Sequence, residues 1–380
     1  MAQRLFDLIV VGAGPAGAAA ALEARRRRPD ASVLLVDKAA FPRDKPCGDG
    51  IGPHAADELA ALGAGGVLDG YPPVSRLRFR APDGTEVSGE MARPNRVVPR
   101  RVLDARLVEA AVAGGALLHR ARVSRLEDRG DRVLLDDGEL AGRVVVGADG
   151  ANSAVRRLLD LAGNPPGDVA IAVRGYAPAP PGPAEQFVDW VPQGWPAYAW
   201  CFPTGTGLAN VGYGLLRSRL EGGREVLFGR LAALLPTLQA DAATLRAHHL
   251  PLSTHRPPPG RGRVLLAGDA ASLVNPLSGE GIYYALASGR LAAAAAVGAP
   301  AEPLAAYREL LHRALGRHFR SAALLARAIR SRRVATATMA AAGSSPAIFD
   351  ALVELALGHA RVSPRMLARI PAAWLRARFL

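Results

Sequence analysis

Gly12-Ala13-Gly14-Pro15-Ala16-Gly17 lies between a short apolar run, 6–12 (FDLIVVG), and an alanine-rich stretch, 16–28, and this pattern constrains the fold more than any other feature. The apolar run suits a buried parallel strand and the alanine-rich stretch a helix ended by Pro29-Asp30. Gly12 permits the tight turn between them, Gly14 lets the backbone approach a pyrophosphate, and Gly17 allows close helix–strand packing. Pro15 and Ala16 open the helix, whose N-terminal N–H groups and dipole favour negative charge. A second apolar run, 32–37 (SVLLVD), ends in Asp37, 25 residues after Gly12 and followed by Lys38. A carboxylate there suits the hydroxyls of an adenosine ribose. Strand, helix, strand and terminal acid together predict a dinucleotide-binding βαβ unit.

Composition narrows the remaining classes. With 380 residues, 49% of them hydrophobic, the chain can bury a large core and form two or three structural units. The net charge of +13 invites a polyanion partner, but 45 of the 47 basic residues are arginine, the lysines being Lys38 and Lys45. That bias reads as the codon usage of a GC-rich genome. Basic runs interleaved with aromatics are missing, so no nucleic-acid partner is expected. Cys47 and Cys201 are too few for a disulfide framework and lack metal-ligand spacing, so no metal is expected and a reducing cytoplasm fits. The N-terminus lacks the pattern of a signal peptide. No apolar stretch reaches the roughly 18–20 residues of a membrane-spanning helix, which leaves a soluble or peripheral protein.

Along the chain, helices are expected at 54–63, 101–114, 222–247 and 280–297. Strands are expected at 74–80, 85–91, near 116–127, at 131–136, 143–147 and 263–267, with a strand-rich region over 171–216. The stretch 302–380 reads as helical. These elements predict an α/β fold in three parts. A Rossmann-type dinucleotide-binding domain is assembled from 1–70, 98–160 and 255–310. A substrate-binding antiparallel-sheet domain takes 71–97 and 161–254, and 311–380 forms a C-terminal helical region.

The nature of the dinucleotide is decided further along. Residues 147–150 read Gly-Ala-Asp-Gly at the end of a strand, ahead of a helix-capping Ala151-Asn152-Ser153. Residues 263–270 read Arg-Val-Leu-Leu-Ala-Gly-Asp-Ala, again a strand ending in Gly-Asp before a helix. With the first motif, these resemble the flavoprotein hydroxylase superfamily, with its p-hydroxybenzoate hydroxylase-like fold. The resemblance implies FAD, with Asp149, Gly150 and Val123 near it and Gly268-Asp269 at the ribityl chain. It also implies that Gly279, Gly281 and Ile282 place backbone N–H groups near flavin N1 and O2, where a helix N-terminus stabilises the charge of reduced flavin. Arg101 matches the arginine that opens a helix near the cofactor in that superfamily, although Arg100 stands beside it.

Residues 45–50, Lys-Pro-Cys-Gly-Asp-Gly, and 275–284, Asn-Pro-Leu-Ser-Gly-Glu-Gly-Ile-Tyr-Tyr, closely resemble the geranylgeranyl reductase family with its PCG and NPxxGEGI motifs. Tyr198-Ala199-Trp200-Cys201-Phe202-Pro203 fits that family's Y-x-W-x-F-P segment, except that Trp195 stands where a proline usually precedes it. By this resemblance Cys47 and Gly48 lie in a loop over the flavin, and Pro276 lies in the segment that reaches it. The implied reaction saturates isolated C=C bonds in prenyl chains, with hydride from reduced flavin N5. Such chemistry needs an apolar slot and a proton source. Tyr198, Trp200 and Phe202 share one strand face at period two and suit that slot, their π-faces stabilising positive charge. Cys47, Tyr198 and Trp200 are the candidate catalytic residues. Cys201 is expected to be structural.

Two alternatives stay open at this point. Flavin monooxygenases, whether hydroxylases or epoxidases of secondary metabolism, share all three cofactor motifs, and a non-enzymatic flavin scaffold would carry no apolar pocket. No second strand–GxGxxG–helix unit is present, so NAD(P)H would bind only transiently, and ferredoxin or another electron-donor protein would serve equally. The basic run over 311–333, with Arg313, Arg317, His318, Arg320, Arg327, Arg330, Arg332 and Arg333, suits either a solvated helix or a peripheral contact with anionic lipid.

Overall fold

A computed structural model describes residues 4–360 and shows an α/β fold built on two sheets. The first sheet is mostly parallel. Its central strand β1 (Leu5–Val11) carries the apolar run whose residues Leu8 to Val10 are wholly buried. On one side of it lie β2 (Val33–Asp37) and β6 (Leu117–Arg120), and on the other β9 (Leu140–Gly147), β16 (Val264–Leu266) and the short β15 (Gly260–Arg261). A hairpin of β7 (Leu126–Asp128) and β8 (Val133–Leu135) adds antiparallel to β9.

Two helices cross this sheet together. α1 (Pro15–Arg27) and α6 (Ile282–Gly298) are both alanine-rich, and that composition lets their backbones approach closely. A Cβ placed on Gly289 of α6 would fall 2.0 Å from the Ala16 carbonyl oxygen. Gly17 serves the same purpose toward the strand, since a Cβ there would lie 1.8 Å from the Gly12 carbonyl. Gly289 therefore seats α1 against α6, and Gly17 seats α1 against the turn after β1.

The second sheet runs in the order β14 (Arg246–Pro251), β10 (Val169–Pro178), β13 (Leu208–Leu216), β12 (Ala197–Pro203), β11 (Glu185–Val191), β4 (Val74–Arg80), β5 (Glu86–Val97) and β3 (Gly50–Ile51). All its pairings are antiparallel except β11 with β4. One face packs on α5 (Arg224–Leu234) through Val173, Cys201, Val211, Tyr213, Leu227 and Leu231. The other face looks toward the first sheet across a long cavity.

Two expectations require correction. The helix foreseen over 222–247 stops at Leu234, and the residues from Arg246 form the edge strand β14, paired with β10. Gly50–Ile51, placed with the cofactor domain from sequence, pairs with β5 and belongs to the second sheet. The C-terminal region is helical, as expected, over its described part. After α7 (Pro303–Leu311) and a turn of π-helix, α8 (Arg317–Ala328), α9 (Arg332–Ser344) and α10 (Pro346–Leu357) fold back over the second sheet. There Met339, Ala342, Phe349 and Val353 pack on Leu77, Val87 and Met91. The part of that region from 361 to 380 lies outside the described residues. The link between the first sheet and the helices over the second comes from α2 (Pro53–Ala61) and α3 (Arg100–Ala113), whose apolar faces join the main core.

Candidate active site

The cavity between the sheets has a volume of about 820 Å³ and two unlike halves. In the first, Gly12, Gly14, Pro15 and Ala16 form the wall at the N-terminus of α1, with Asp37 and Lys38 at the tip of β2. Gly12 has φ +102°, and a Cβ there would meet the Ala148 carbonyl oxygen at 2.4 Å, so the turn accepts only glycine. Asp37 Oδ2 accepts from the Ala13 N–H at 2.8 Å and Oδ1 from the Ala39 N–H at 2.8 Å, which fixes the carboxylate beside the turn. Val123, Asp149 and Gly150 line the same stretch. Asp149 caps the short helix α4 (Ala154–Leu158), accepting from the Ala154 N–H at 2.6 Å and the Ser153 hydroxyl at 2.5 Å.

The arginine at this wall is Arg100 rather than Arg101. Arg101 points to solvent, whereas Arg100 is 4% exposed, lines the cavity and makes a bidentate pair with buried Asp104 at 2.6 and 2.9 Å. Helix phase is the reason: Arg100 and Asp104 are i and i+4 on the inner face of α3. Although burial disfavours its charge, Asp104 raises the Arg100 pKa, so the cation is held. Arg43, which the sequence reading passed over, reaches Asp104 at 3.1 Å from the loop side and lines the cavity near Gly14.

Further along, Asp269 meets Lys45 at 3.3 Å, and Gly279, Glu280, Gly281 and Ile282 form the wall at the start of α6. Gly17, Gly268 and Pro276 do not line the cavity. Gly17 and Gly268 pack against backbone and small side chains, and the Gly268 N–H donates to Ser288 Oγ at 2.9 Å. Beside Pro276, Asn275 does the anchoring. Its amide donates to the Leu355 carbonyl at 3.0 Å, and its oxygen accepts from the Leu277 N–H at 2.9 Å, tying this segment to the end of α10. The Glu280 carboxylate folds back to accept from the Tyr283 N–H at 2.8 Å. Burial pushes its pKa up to about 7.

The loop carrying Cys47 and Gly48 roofs the junction between the halves, held by residues of the second sheet. Buried Arg174 of β10 pairs with Asp44 and donates to the Lys45 carbonyl at 3.3 Å. Asp49, fully buried with φ +62°, accepts from the Tyr176 hydroxyl and, at 2.8 Å, from Asn210 Nδ2. Its Oδ1 accepts from the Arg100 N–H at 3.3 Å, and its carbonyl accepts from the Val98 N–H at 2.9 Å. Burial drives the Asp49 pKa up to about 6 against these donors and the nearby Arg174 charge.

Tyr198, Trp200 and Phe202 line the cavity at this junction from one face of β12. Trp200 is 5% exposed and donates from Nε1 to Asn210 Oδ1 at 2.8 Å, which locks its ring. The ring lies across Gly212 on β13, where a Cβ would fall 2.0 Å from Trp200 Cζ2. Tyr198 donates to the Ser278 carbonyl at 2.5 Å, joining β12 to the segment before α6. Burial raises the Cys47 thiol to about 11 and raises the Tyr198 hydroxyl as well, so both stay protonated at neutral pH. Cys201 faces away into the core between the sheet and α5. Trp195 packs against Trp190 and donates to the Ile329 and Arg330 carbonyls at 3.1 and 2.9 Å. It therefore staples the α8–α9 turn to the sheet.

The second half of the cavity is apolar. Leu77 and Phe79 of β4, Val188 of β11, Leu325, Ile329 and Met339 of the covering helices surround it. No charged wall residue comes from β4, β11 or these covering helices.

The chain's residues fit FAD. A ribose carboxylate, a glycine turn at a helix N-terminus, buried arginine beside it and a polar channel toward α6 follow one another along one wall, and the cradle at Gly12 has no room for a side chain. Asp37 would hold the adenosine ribose, Gly12 to Ala16 with Arg100 the pyrophosphate, and Asp269 the ribityl chain, leaving the flavin ring between the Cys47 loop and the start of α6.

Two outcomes test this geometry. Arg100→Met is expected to weaken FAD binding at least about tenfold and to lower stability by about 3 kcal/mol through exposure of the buried Asp104 charge. Arg101→Met should move both by less than about 0.5 kcal/mol. FAD titration and urea unfolding read the two. For Asp49, the native pKa near 6 exceeds the ordinary 3.8. Its favourable contribution is therefore complete below about pH 3.8 and lost as pH rises through about 6. The stability of Asp49→Asn relative to the native chain should rise across that window in denaturant unfolding. A flat difference would contradict the buried ionisation.

Comparison with known proteins identifies relatives of this chain. The lycopene cyclase protein family profile matches residues 7–165. Over 317 residues the chain is 36% identical to the menaquinone reductase of Mycolicibacterium smegmatis, covering 76% of this chain and 75% of that protein. It is 31% identical over 318 residues to digeranylgeranylglycerophospholipid reductase 1 of Methanopyrus kandleri, covering 77% of this chain and 80% of the relative. Its fold matches a geranylgeranyl bacteriochlorophyll reductase-like protein of Thermoplasma acidophilum with TM-score 0.78 and 20% identity, covering 99% of each chain. The chain belongs to the geranylgeranyl reductase family of FAD-dependent oxidoreductases.

Proposed function

We propose that the protein reduces C=C bonds of an isoprenoid or polyene-like apolar substrate. The observation that carries this reading is the cavity itself: a polar half fitted to FAD opens, at Trp200, into a half walled by aliphatic side chains. The relatives named as reductases of menaquinone and of a digeranylgeranyl lipid support the same class. FAD, when bound and reduced, supplies hydride from N5. The chain's residues do the rest. The aliphatic wall takes up the hydrocarbon and excludes water, which removes the competing hydration of a cationic centre. The ring faces of Trp200 and Tyr198 stabilise positive charge as it develops on the alkene carbon. Tyr198 is fixed by its bond to the Ser278 carbonyl, so its ring cannot swing out of the slot.

The proton comes from the roof of the junction. Cys47 in the roof loop and Tyr198 on β12 both hold protons at neutral pH, and Glu280, at the start of α6 with a pKa near 7, is close enough to influence both electrostatically. Electrons arrive from NAD(P)H bound transiently or from a ferredoxin-like donor, since the chain offers no second dinucleotide unit. The fold also supports oxygen chemistry, and the outcome of one experiment separates the two. Reduced holoenzyme is incubated without oxygen with prenyl quinones and prenyl lipids, and products are read by mass spectrometry. A gain of two hydrogens per double bond is expected, falling at least about tenfold in Cys47→Ala. A product that appears only with oxygen and has gained an oxygen atom would overturn the reductase reading.

Prenyl substrates partition into membranes, and we propose a peripheral contact there. Among the described residues no helix is long and apolar enough to cross a membrane. α8 buries Phe319, Ala322 and Leu325 and exposes Arg317, Arg320, Arg327 and Leu324, with Arg330, Arg332 and Arg333 exposed at the following turn. His318, counted with this run, is instead buried and bonded to Tyr284 at 2.8 Å. Sedimentation with anionic vesicles is expected at low salt, diminishing at high salt and in Arg320→Glu/Arg327→Glu. No sedimentation at low salt would remove the contact.

A further inference from the structure

The apolar half of the cavity runs away from Trp200 along the second sheet and stops at a built end wall. Pairing sets Trp200, Val188, Phe79 and Val87 in one row across β12, β11, β4 and β5. Paired residues on neighbouring strands share a face, so this row is a floor beneath the covering helices. Trp200, Val188 and Phe79 line the cavity, whereas Val87 is buried against residues of α9 and α10. At a strand spacing of about 4.8 Å, the floor between the strands of Trp200 and Phe79 is roughly 10 Å long.

Two glycines bring the cover down onto the sheet beyond that floor. Gly89 of β5, paired with Leu77, lies against the ring of Phe349 from α10, and a Cβ there would fall 3.0 Å from Phe349 Cζ. Gly343 of α9 meets Val87, where a Cβ would lie 3.2 Å from Val87 Cγ2. Phe79 stands in front of this seam. Its ring meets Phe349 edge-on with centroids 6.2 Å apart and Trp190 with centroids 6.5 Å apart. Trp190 packs in turn on Trp195 at 5.9 Å. Such tilted aromatic pairs are favourable beyond the area they bury, so the Phe79 ring is braced from behind and from the side. Val87 and Phe349 behind it are enclosed on all sides, as core residues are, while Phe79 is only half-buried and faces the cavity.

We infer that Phe79 is the length gauge of the slot, the residue that stops a prenyl chain extending from Trp200 along the sheet. This rests on the reading of the cavity as an isoprenoid site. A hydrocarbon makes no hydrogen bonds by which its position could be fixed, and hydrophobic burial has no direction of its own. Contact with a rigid end wall is the physical means left to set its register. A chain too long for the floor would have to displace a braced aromatic ring and the close-packed seam behind it, which is costly. Phe79 therefore determines the chain length accepted and, through it, the double bond presented at Trp200. Phe349, which does not line the cavity, acts through Phe79 by holding its ring.

The test is binding of a prenol series to the oxidised holoenzyme, followed by perturbation of the flavin absorbance. Geraniol, farnesol, geranylgeraniol and the longer prenols of the series are compared. In the native protein each added isoprene unit is expected to tighten binding at least about tenfold up to a limiting length, beyond which affinity stops rising. Phe79→Ala should move that limit to a longer prenol and Phe79→Trp to a shorter one. Prenols shorter than the lowest of these limits should bind all three proteins alike. A limit that stays in place in both variants, or a native protein whose affinity keeps rising along the whole series, would overturn the gauge and leave the isoprenoid reading intact. If no prenol binds the native protein, the isoprenoid reading falls and the gauge with it. Should one variant fail to fold, the other still decides, because the two shifts are opposite in sign.

Discussion

The carboxylate of Asp49 is the point on which the site depends. It is buried in a left-handed turn and accepts from Tyr176 on β10, Asn210 on β13 and the backbone of Arg100 at the start of α3. Those donors come from the second sheet and from the helix that carries Arg100. A single buried acid thus fixes the Cys47 loop relative to both sheets. Burial of a carboxylate is costly unless donors satisfy it, and here the cost is offset by groups that the site needs in place for other reasons. Asn210 is the clearest case, since it also orients Trp200 and holds the Cys47 carbonyl at 2.8 Å. Loop, arginine and aromatic wall are positioned as one unit.

The rest of the cavity follows from how each sheet meets that junction. The parallel sheet ends its strands toward the dinucleotide turn, so the polar half is made largely of backbone N–H groups, helix N-termini and short acidic side chains. The antiparallel sheet presents one face to the same space, and alternation along β11 and β12 supplies aliphatic and aromatic side chains to it. The C-terminal helices close that face. Asn275 and Ser278, in the segment preceding α6, bond carbonyls at the end of α10, so the apolar cover and the flavin-facing segment share hydrogen bonds. Changes in the cover are mechanically connected to the cofactor wall, although many residues separate them in sequence.

Much of this was legible in the sequence, for physical reasons that also explain what was not. The glycine turn, Asp37, Asp149 and Asp269 could be read because each sits at a strand end where local chemistry has few solutions. The face shared by Tyr198, Trp200 and Phe202 could be read because strand periodicity is strict. Arg100 was mistaken for Arg101 because neighbouring arginines differ only in helix phase, which the core decides. The helix was carried past Leu234 to 247, onto the first residues of β14, because that strand is specified by pairing with β10 rather than by a period of its own. Asp49 and Arg174 were invisible as anchors. Their partners lie on elements distant in sequence, and a lone polar residue looks the same whether it meets water or a buried partner. Trp195 illustrates the converse. Its place in a family segment marked only a departure from the usual proline, whereas its indole bonds pin the α8–α9 turn.

The central claim is that the reduced cofactor and an apolar alkene meet in one cavity at Trp200. The most direct measurement is the absorbance of reduced holoenzyme mixed with a prenyl quinone or prenyl lipid in the complete absence of oxygen. The flavin should return to its oxidised spectrum as substrate double bonds are lost, in proportion to them, and the rate should collapse in Trp200→Ala while FAD remains bound. A flavin that stays reduced until oxygen is admitted, whatever isoprenoid is present, would contradict the account.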